Sequence, residues 1–200
     1  MRGTRNLTLL IIGAIVLIFL AWGCGGYNGL VNQDETVKKT WANVQSDYQR
    51  RADLIPNLVA TVKGAANFEK ETYIQVALAR SGELKQAVNV PVDSLNPQKF
   101  EQIQKAGTEA LNTARTAFNI VVERYPDLKA TSNFSNLQTQ LEGTENRINV
   151  SRKDYNNAVQ GYNVKVRRFP MNIFAGMFGF KQRPTFEATP GSETPPKVQF

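Results

Sequence analysis

Two hundred residues with a formal charge of +7, from 24 Lys and Arg against 17 Asp and Glu, make one domain with appendages rather than two domains. The chain has no histidine and one cysteine, which removes the commonest general base and the commonest metal ligand and excludes an internal disulfide framework. The basic excess would suit an anionic membrane surface or nucleic acid.

The first element is a candidate membrane anchor. No residue between Asn6 and Gln33 is charged, and residues 7–24 are almost wholly apolar. That approaches the roughly 20 residues a helix needs to cross a bilayer and exceeds the core of most signal peptides. Lipidation at Cys24 would want a Leu-like residue where Ala21 stands and a small one where Trp22 stands. Trp22 and Tyr27 suit the interfacial end of a span. A retained helix over residues 1–26 is therefore favoured over lipidation of Cys24 or cleavage near Gly23. Arg2 and Arg5 precede the span, whereas Lys38 and Lys39 follow Asp34 and Glu35 at some distance. Positive-inside counting then favours an extracytoplasmic domain on a single-pass protein of the bacterial cytoplasmic (inner) membrane.

Residues 27–169 read as helix. Leu30, Val37, Trp41, Val44, Tyr48, Ile55, Leu58 and Val62 alternate by three and four, interrupted only by Asp34 and Arg51. Pro56 lies inside this pattern, and Asp53 could cap a restarted helix that accommodates it. The run Gly64 to Asn67 predicts a reversal. A shorter helix to about Leu84 is expected to turn Tyr73, Val76 and Leu84 inward, and residues 89–97 read as a loop. A third helix starts with Pro97 and carries Phe100, Ile103, Leu111, Phe118, Val121 and Tyr125 before Pro126 stops it. The fourth, from about Asn133, carries Phe134, Leu137, Leu141, Ile148, Tyr155, Tyr162, Val166 and Phe169.

Length arguments select the topology. A helix unbroken from Asn28 to Leu84 would reach about 85 Å, against about 43 and about 55 Å for the later two, leaving half its apolar stripe uncovered. A reversal near Gly64 instead gives an all-α, up-and-down antiparallel four-helix bundle behind a single N-terminal transmembrane helix. Pairing Asn28 with Phe169 sets Trp41 opposite Tyr155 and Val37 opposite Val159. It also sets Arg51 beside Glu142 and Glu145, a structural polar network that Gly143 would admit by close helix approach. The tyrosines of "YNNAVQGYN" fall in the core, and Asn156 and Asn163 on the surface.

Residues 170–183 form a hydrophobic and basic segment too short to span a bilayer. Phe174, Met177, Phe178 and Phe180, with Arg167, Arg168 and Lys181, are candidate contacts to membrane or partner. Lys165, Arg183, Arg2 and Arg5 would join them near the headgroups, and four-helix parity predicts that Phe174, Met177 and Phe178 lie near Tyr27. The alternative role for these apolar residues is a cap over the bundle end. Residues 184–200 are expected to be a Pro-rich flexible tail.

The stretches "YNGLV", "RRADLIPNLVATVKG", "YPDLKA", "LEGTENRI", "YNNAVQGYN" and "FPMNIFAGMFGF" occur in this order. Through them the chain, from residue 27 to about residue 188, resembles the LemA family of bacterial membrane-anchored helical proteins. Residues 81–98 carry no motif of that family. The resemblance implies a single-pass anchor and an antiparallel helical domain, with no established activity and no catalytic residues to carry across.

No catalytic set, metal site or cofactor is expected from the residues. The remaining cations are scattered among acids, so no nucleic-acid partner is expected. The favoured function is a membrane-tethered, non-enzymatic module that docks or organises partner proteins of the cell envelope. The lipid bilayer and unidentified envelope or membrane proteins are its expected partners, and homo-oligomerisation is compatible with the sequence. The alternative is a membrane-associated enzyme with an unrecognised site.

Overall fold

The computed structural model describes residues 2–65, 72–126 and 131–187; within the first helix it describes the side chains of residues 10–14, 23 and 25–61. The described chain is all-α. Its helices are α1 (Arg2–Ala65), α2 (Thr72–Val88), α3 (Pro97–Arg124), α4 (Ser132–Arg167) and the short α5 (Met171–Met177), with one 3-10 turn at Val92–Ser94. Among the described residues no helix is long and apolar enough to cross a membrane. The expected span over residues 1–26 rests largely on side chains outside that description.

Two compact units emerge, and α1 and α4 each contribute to both. The first comprises Met1–Lys39 and Asn157–Arg183. Its parts of α1 and α4 run antiparallel, since Gly29 meets Lys165 while Gln33 meets Gly161. Leu30, Val37, Val159 and Tyr162 are buried there. The segment after α4 folds back through α5 over a glycine face of α1. A Cβ on Gly23 would lie 2.8 Å from the Phe174 ring, one on Gly26 would collide with Met171, and one on Gly29 would lie 2.8 Å from Lys165 Nζ. Three glycines spaced three apart thus remove side chains along one face and admit α5 and Lys165. Gly179, at φ +77°, closes α5 in the left-handed region that favours glycine.

The second unit comprises Thr40–Asn156 and Pro184–Phe200. Here each helix packs antiparallel to its chain neighbour. Gln45 Nε2 donates to Val88 O at 2.8 Å, and Lys85 pairs with Asp53 at 2.6 Å, joining α1 to α2. Arg80 meets Glu109 at 3.0 Å between α2 and α3. Phe118 meets Phe134 and Phe100 meets Tyr155, ring centroids 6.2 and 5.8 Å apart, between α3 and α4. Trp41 meets Tyr155 at 5.7 Å between α4 and α1, in the expected register. The α2–α3 connection is held by side chains that take up free carbonyls: Trp41 Nε1 donates to Val90 O at 2.9 Å. Asn96 caps α3 by accepting from Lys99 N at 2.8 Å, with Pro97 in the first turn where its missing N–H costs nothing.

Several expectations change. Helix α1 continues through Pro56, so Asp53 caps nothing and instead pairs with Lys85. The predicted reversal at Gly64 to Asn67 lies largely outside the described residues, which end at Ala65 and resume at Thr72. Helix α2 buries Ile74, Ala77, Ser81, Leu84 and Val88, leaving Tyr73 and Val76 exposed. Its packed face is offset by one residue from the larger apolar side chains, with Ala77 and Ser81 at its centre. Tyr125 is exposed as the C-cap of α3, and Phe169 is exposed beyond the end of α4. Gly143 has no neighbour that a Cβ would meet. The close approach occurs at Gly107, where a Cβ would lie 2.8 Å from the Tyr48 ring.

Candidate functional site

Three constellations bring polar or exposed groups together. The first is the Arg51 network of the second unit. The Arg51 side chain is only 3% exposed and its Nη2 lies 2.5 Å from Glu145 Oε2, a carboxylate on a side chain 41% exposed. Nη1 donates to Gly107 O at 3.3 Å, Nε approaches Thr144 Oγ1 at 3.5 Å, and the guanidinium lies 5.7 Å from the Tyr48 ring centre. Burial depresses the basicity of the guanidinium and the Glu145 charge opposes it. Burial likewise raises the Tyr48 phenol. Glu142 faces outward, where its Oε1 accepts from Gln138 at 3.3 Å. The guanidinium's remaining hydrogen bonds therefore go to the neutral acceptors Gly107 O and Thr144 Oγ1 rather than to the second glutamate.

The second constellation lies in the first unit around Tyr27. Its ring meets Phe178 at 4.9 Å and Phe180 at 5.9 Å, both edge-on. Phe174 is buried against Gly23, so it serves as a packing residue and not as a contact surface. The outward groups are Phe169 (77% exposed), Met177 (73%), Phe178 (55%) and Ile173, with exposed Arg167, Arg168 and Lys181 beside them in the chain. Two cations expected here have other tasks. Lys165 Nζ donates to Gly29 O at 3.0 Å. Arg183 donates from Nε and Nη2 to Asp34 Oδ1 at 3.1 and 2.6 Å, while Lys38 sits 3.0 Å from Asp34 Oδ2. Burial alone would raise the Asp34 carboxyl, but the two cations outweigh it and hold it below the ordinary carboxylate range. The buried aspartate on the apolar stripe of α1 is thus a seat for Arg183.

The third constellation was not expected. Residues 184–187, which the sequence suggests begin a flexible tail, belong to no helix and pack on the second unit. Phe186 is 6% exposed, with its ring centre 4.2 Å from Phe100, 5.7 Å from Tyr155 and 6.2 Å from Trp41. Arg152 lies 4.8 Å over the same ring. The Asn156 amide makes a two-point pair with the main chain of Phe186, accepting from its N and donating to its O, each at 2.9 Å. In the first unit Asn163 treats Arg183 in the same way, at 2.8 and 2.9 Å. Both asparagines therefore clamp the chain rather than idle on the surface. Residues 188–200 lie outside the description.

Open clefts complete the inventory. One of about 640 Å³ runs along α3 past Glu101, Gln104, Lys105 and Thr108, with Thr185 and Glu187 as its far wall. Another of about 420 Å³ lies between α1 and α4, lined by Asn43, Asp47, Arg147 and Asp154. Among the described residues no group of three or more Cys, Asp or Glu is placed to hold a metal.

A family model described as the LemA family matches residues 40–200. Magnetosome protein MamQ 1 and Magnetosome protein MamQ 2 of Paramagnetospirillum magneticum are each 28% identical to the chain over 208 residues, covering 97% of it and 76% of the relative. Protein LemA of Metamycoplasma hominis is 24% identical over 181 residues, covering 90% of the chain and 76% of the relative.

Proposed function

The chain belongs to the LemA family, and we propose that it is a membrane-tethered helical module that docks other proteins at the bacterial envelope and does no chemistry of its own. Residues 1–26 are the single-pass anchor in this reading, and the antiparallel helices of the second unit form an up-and-down four-helix bundle. The bundle lies on the extracytoplasmic side of the cytoplasmic membrane.

The observation that carries the reading is the set of exposed apolar residues in and around α5, of which Phe178 meets the Tyr27 ring. Phe169, Ile173, Met177 and Phe178 present apolar surface to solvent within a unit that has already buried Phe174 and Tyr162. Clustered aromatic and methionine side chains left in water are unfavourable unless something covers them. Arg167, Arg168 and Lys181 flank them, the pairing of apolar and cationic groups that suits shallow insertion among anionic headgroups and contact with a neighbour's membrane segment. Leu10, Ile11 and Ile12, successive residues pointing to different sides of α1, are all exposed as well, which supports a lipid-facing helix.

Photo-crosslinking in native membranes tests this. A photoreactive residue at Met177 is expected to capture lipid and membrane proteins, whereas one at Val150, an exposed position of the second unit, captures neither lipid nor a membrane segment. Capture of only water-soluble proteins from position 177 would contradict the proposal.

A further inference from the structure

Residues 184–187 are held on the second unit as a bound peptide is held. Among the described residues, five hydrogen bonds join their main-chain atoms to side chains of α3 and α4, four donated by the side chains and one by Phe186 N. Tyr155 Oη donates to Pro184 O at 3.2 Å, Asn156 pairs with Phe186 N and O, and Gln104 and Arg152 donate to Glu187 O at 3.4 and 3.5 Å. One side chain, Phe186, supplies the insertion. The walls of its pocket are set by other contacts: Trp41 is tied to Val90 O, and Phe100 and Tyr155 meet each other directly. A site that reads backbone polar atoms and one aromatic ring accepts any extended segment of that chemistry. It is also a site the segment can leave without unwinding a helix, since residues 183–187 belong to none; departure also releases Arg183 from Asn163 and Asp34.

We infer that this groove is a peptide-binding site for a short extended segment with an aromatic anchor, and that residues 184–187 of a second copy of the chain occupy it by exchange. Every copy carries the one segment whose fit the structure displays. A groove and its ligand on the same chain can satisfy each other within a molecule or between two, and exchange of an identical element is a low-cost route to self-association. The contacts made by residues 184–187 are the same in both cases, so the balance depends on how many copies are close together. This inference does not rest on the membrane reading.

Paired cysteines in the full chain test it, with Cys24→Ser as background. Glu187→Cys and Gln104→Cys bracket a contact of 3.4 Å and leave the ring pocket untouched. A single chain carrying both is expected to form an internal disulfide. Co-expression of one copy with Glu187→Cys and another with Gln104→Cys is expected to give a disulfide-linked heterodimer. Adding Phe186→Ala to the Glu187→Cys copy should cut the yield about tenfold or more. Four results would overturn the inference. The internal disulfide could form with no heterodimer, or the heterodimer yield could ignore Phe186→Ala. The Gln104→Cys copy could trap another protein in place of its twin, or the internal disulfide could itself fail.

Discussion

Glu145→Leu is expected to destabilise the second unit by about 2–4 kcal/mol in urea denaturation followed by helical circular dichroism. The reason is an asymmetry in the ion pair. Arg51 is almost fully buried, with the neutral acceptors Gly107 O and Thr144 Oγ1 as its other hydrogen-bond partners among the described residues, whereas Glu145 is 41% exposed. Removing the carboxylate strands a guanidinium among neutral acceptors. The cost falls somewhat below the roughly 3–5 kcal/mol of a wholly buried pair because water reaches the Glu145 side. Arg51→Leu should cost less, about 1 kcal/mol, since Glu145 can rehydrate and Thr144 Oγ1 still donates to Leu141 O at 2.6 Å. An equal or reversed order of the two variants would contradict this picture of the network.

Phe186→Ala carries the second large effect. Truncating a buried phenylalanine typically costs about 3–5 kcal/mol, but a peripheral segment can lift off instead of leaving a cavity. The loss should therefore appear as undocking of residues 184–187, while the helices of the second unit stay folded. A docking loss of about 3 kcal/mol corresponds to roughly a hundredfold drop in protection of the Phe186 amide from hydrogen exchange. Asn156→Ala removes two hydrogen bonds and should lower the same protection about tenfold. Unchanged protection in the Phe186 variant would mean that the ring does not anchor the segment.

Much of the helical frame was legible because long amphipathic stripes report burial directly. The stripe from Leu30 through Leu58 has the burial its spacing implies, and the helix–helix register that sets Trp41 against Tyr155 followed from pairing two such stripes. The Arg51–Glu145 pair became legible through the same register. Helix α2 misled because Tyr73 and Val76 are the larger apolar residues, yet the packed face is built on Ala77 and Ser81, where small size matters more than hydrophobicity. The seating of α5 was written in Gly23, Gly26 and Gly29, three glycines on one face of an otherwise apolar helix. The docked segment left the faintest trace, since an extended stretch of four residues has no periodicity and its partners are polar. A signal existed nonetheless: Asn156 and Asn163 each carry an amide able to pair with both main-chain groups of a single residue.

Corrections at the candidate contact surface have the same physical origin. Phe174 and Arg183 are of the right type for a membrane interface, but each found a better partner within the fold, in Gly23 and Asp34. Composition alone ranks Phe174 with Met177 and Arg183 with Lys181. Only the packing of α5 on α1 separates those that are consumed internally from those left facing outward.

The depth of Met177 relative to a bilayer tests the tethered-module account most directly. With Cys24→Ser as background, a nitroxide label at Met177→Cys is compared with one at Val150→Cys in the full chain, reconstituted in vesicles containing anionic lipid. Collisions with oxygen, which partitions into lipid, are set against collisions with a water-soluble nickel chelate. The account expects the label at 177 to meet oxygen readily and the chelate poorly, with the reverse at 150. A label at 177 as open to the chelate as the one at 150 would contradict it.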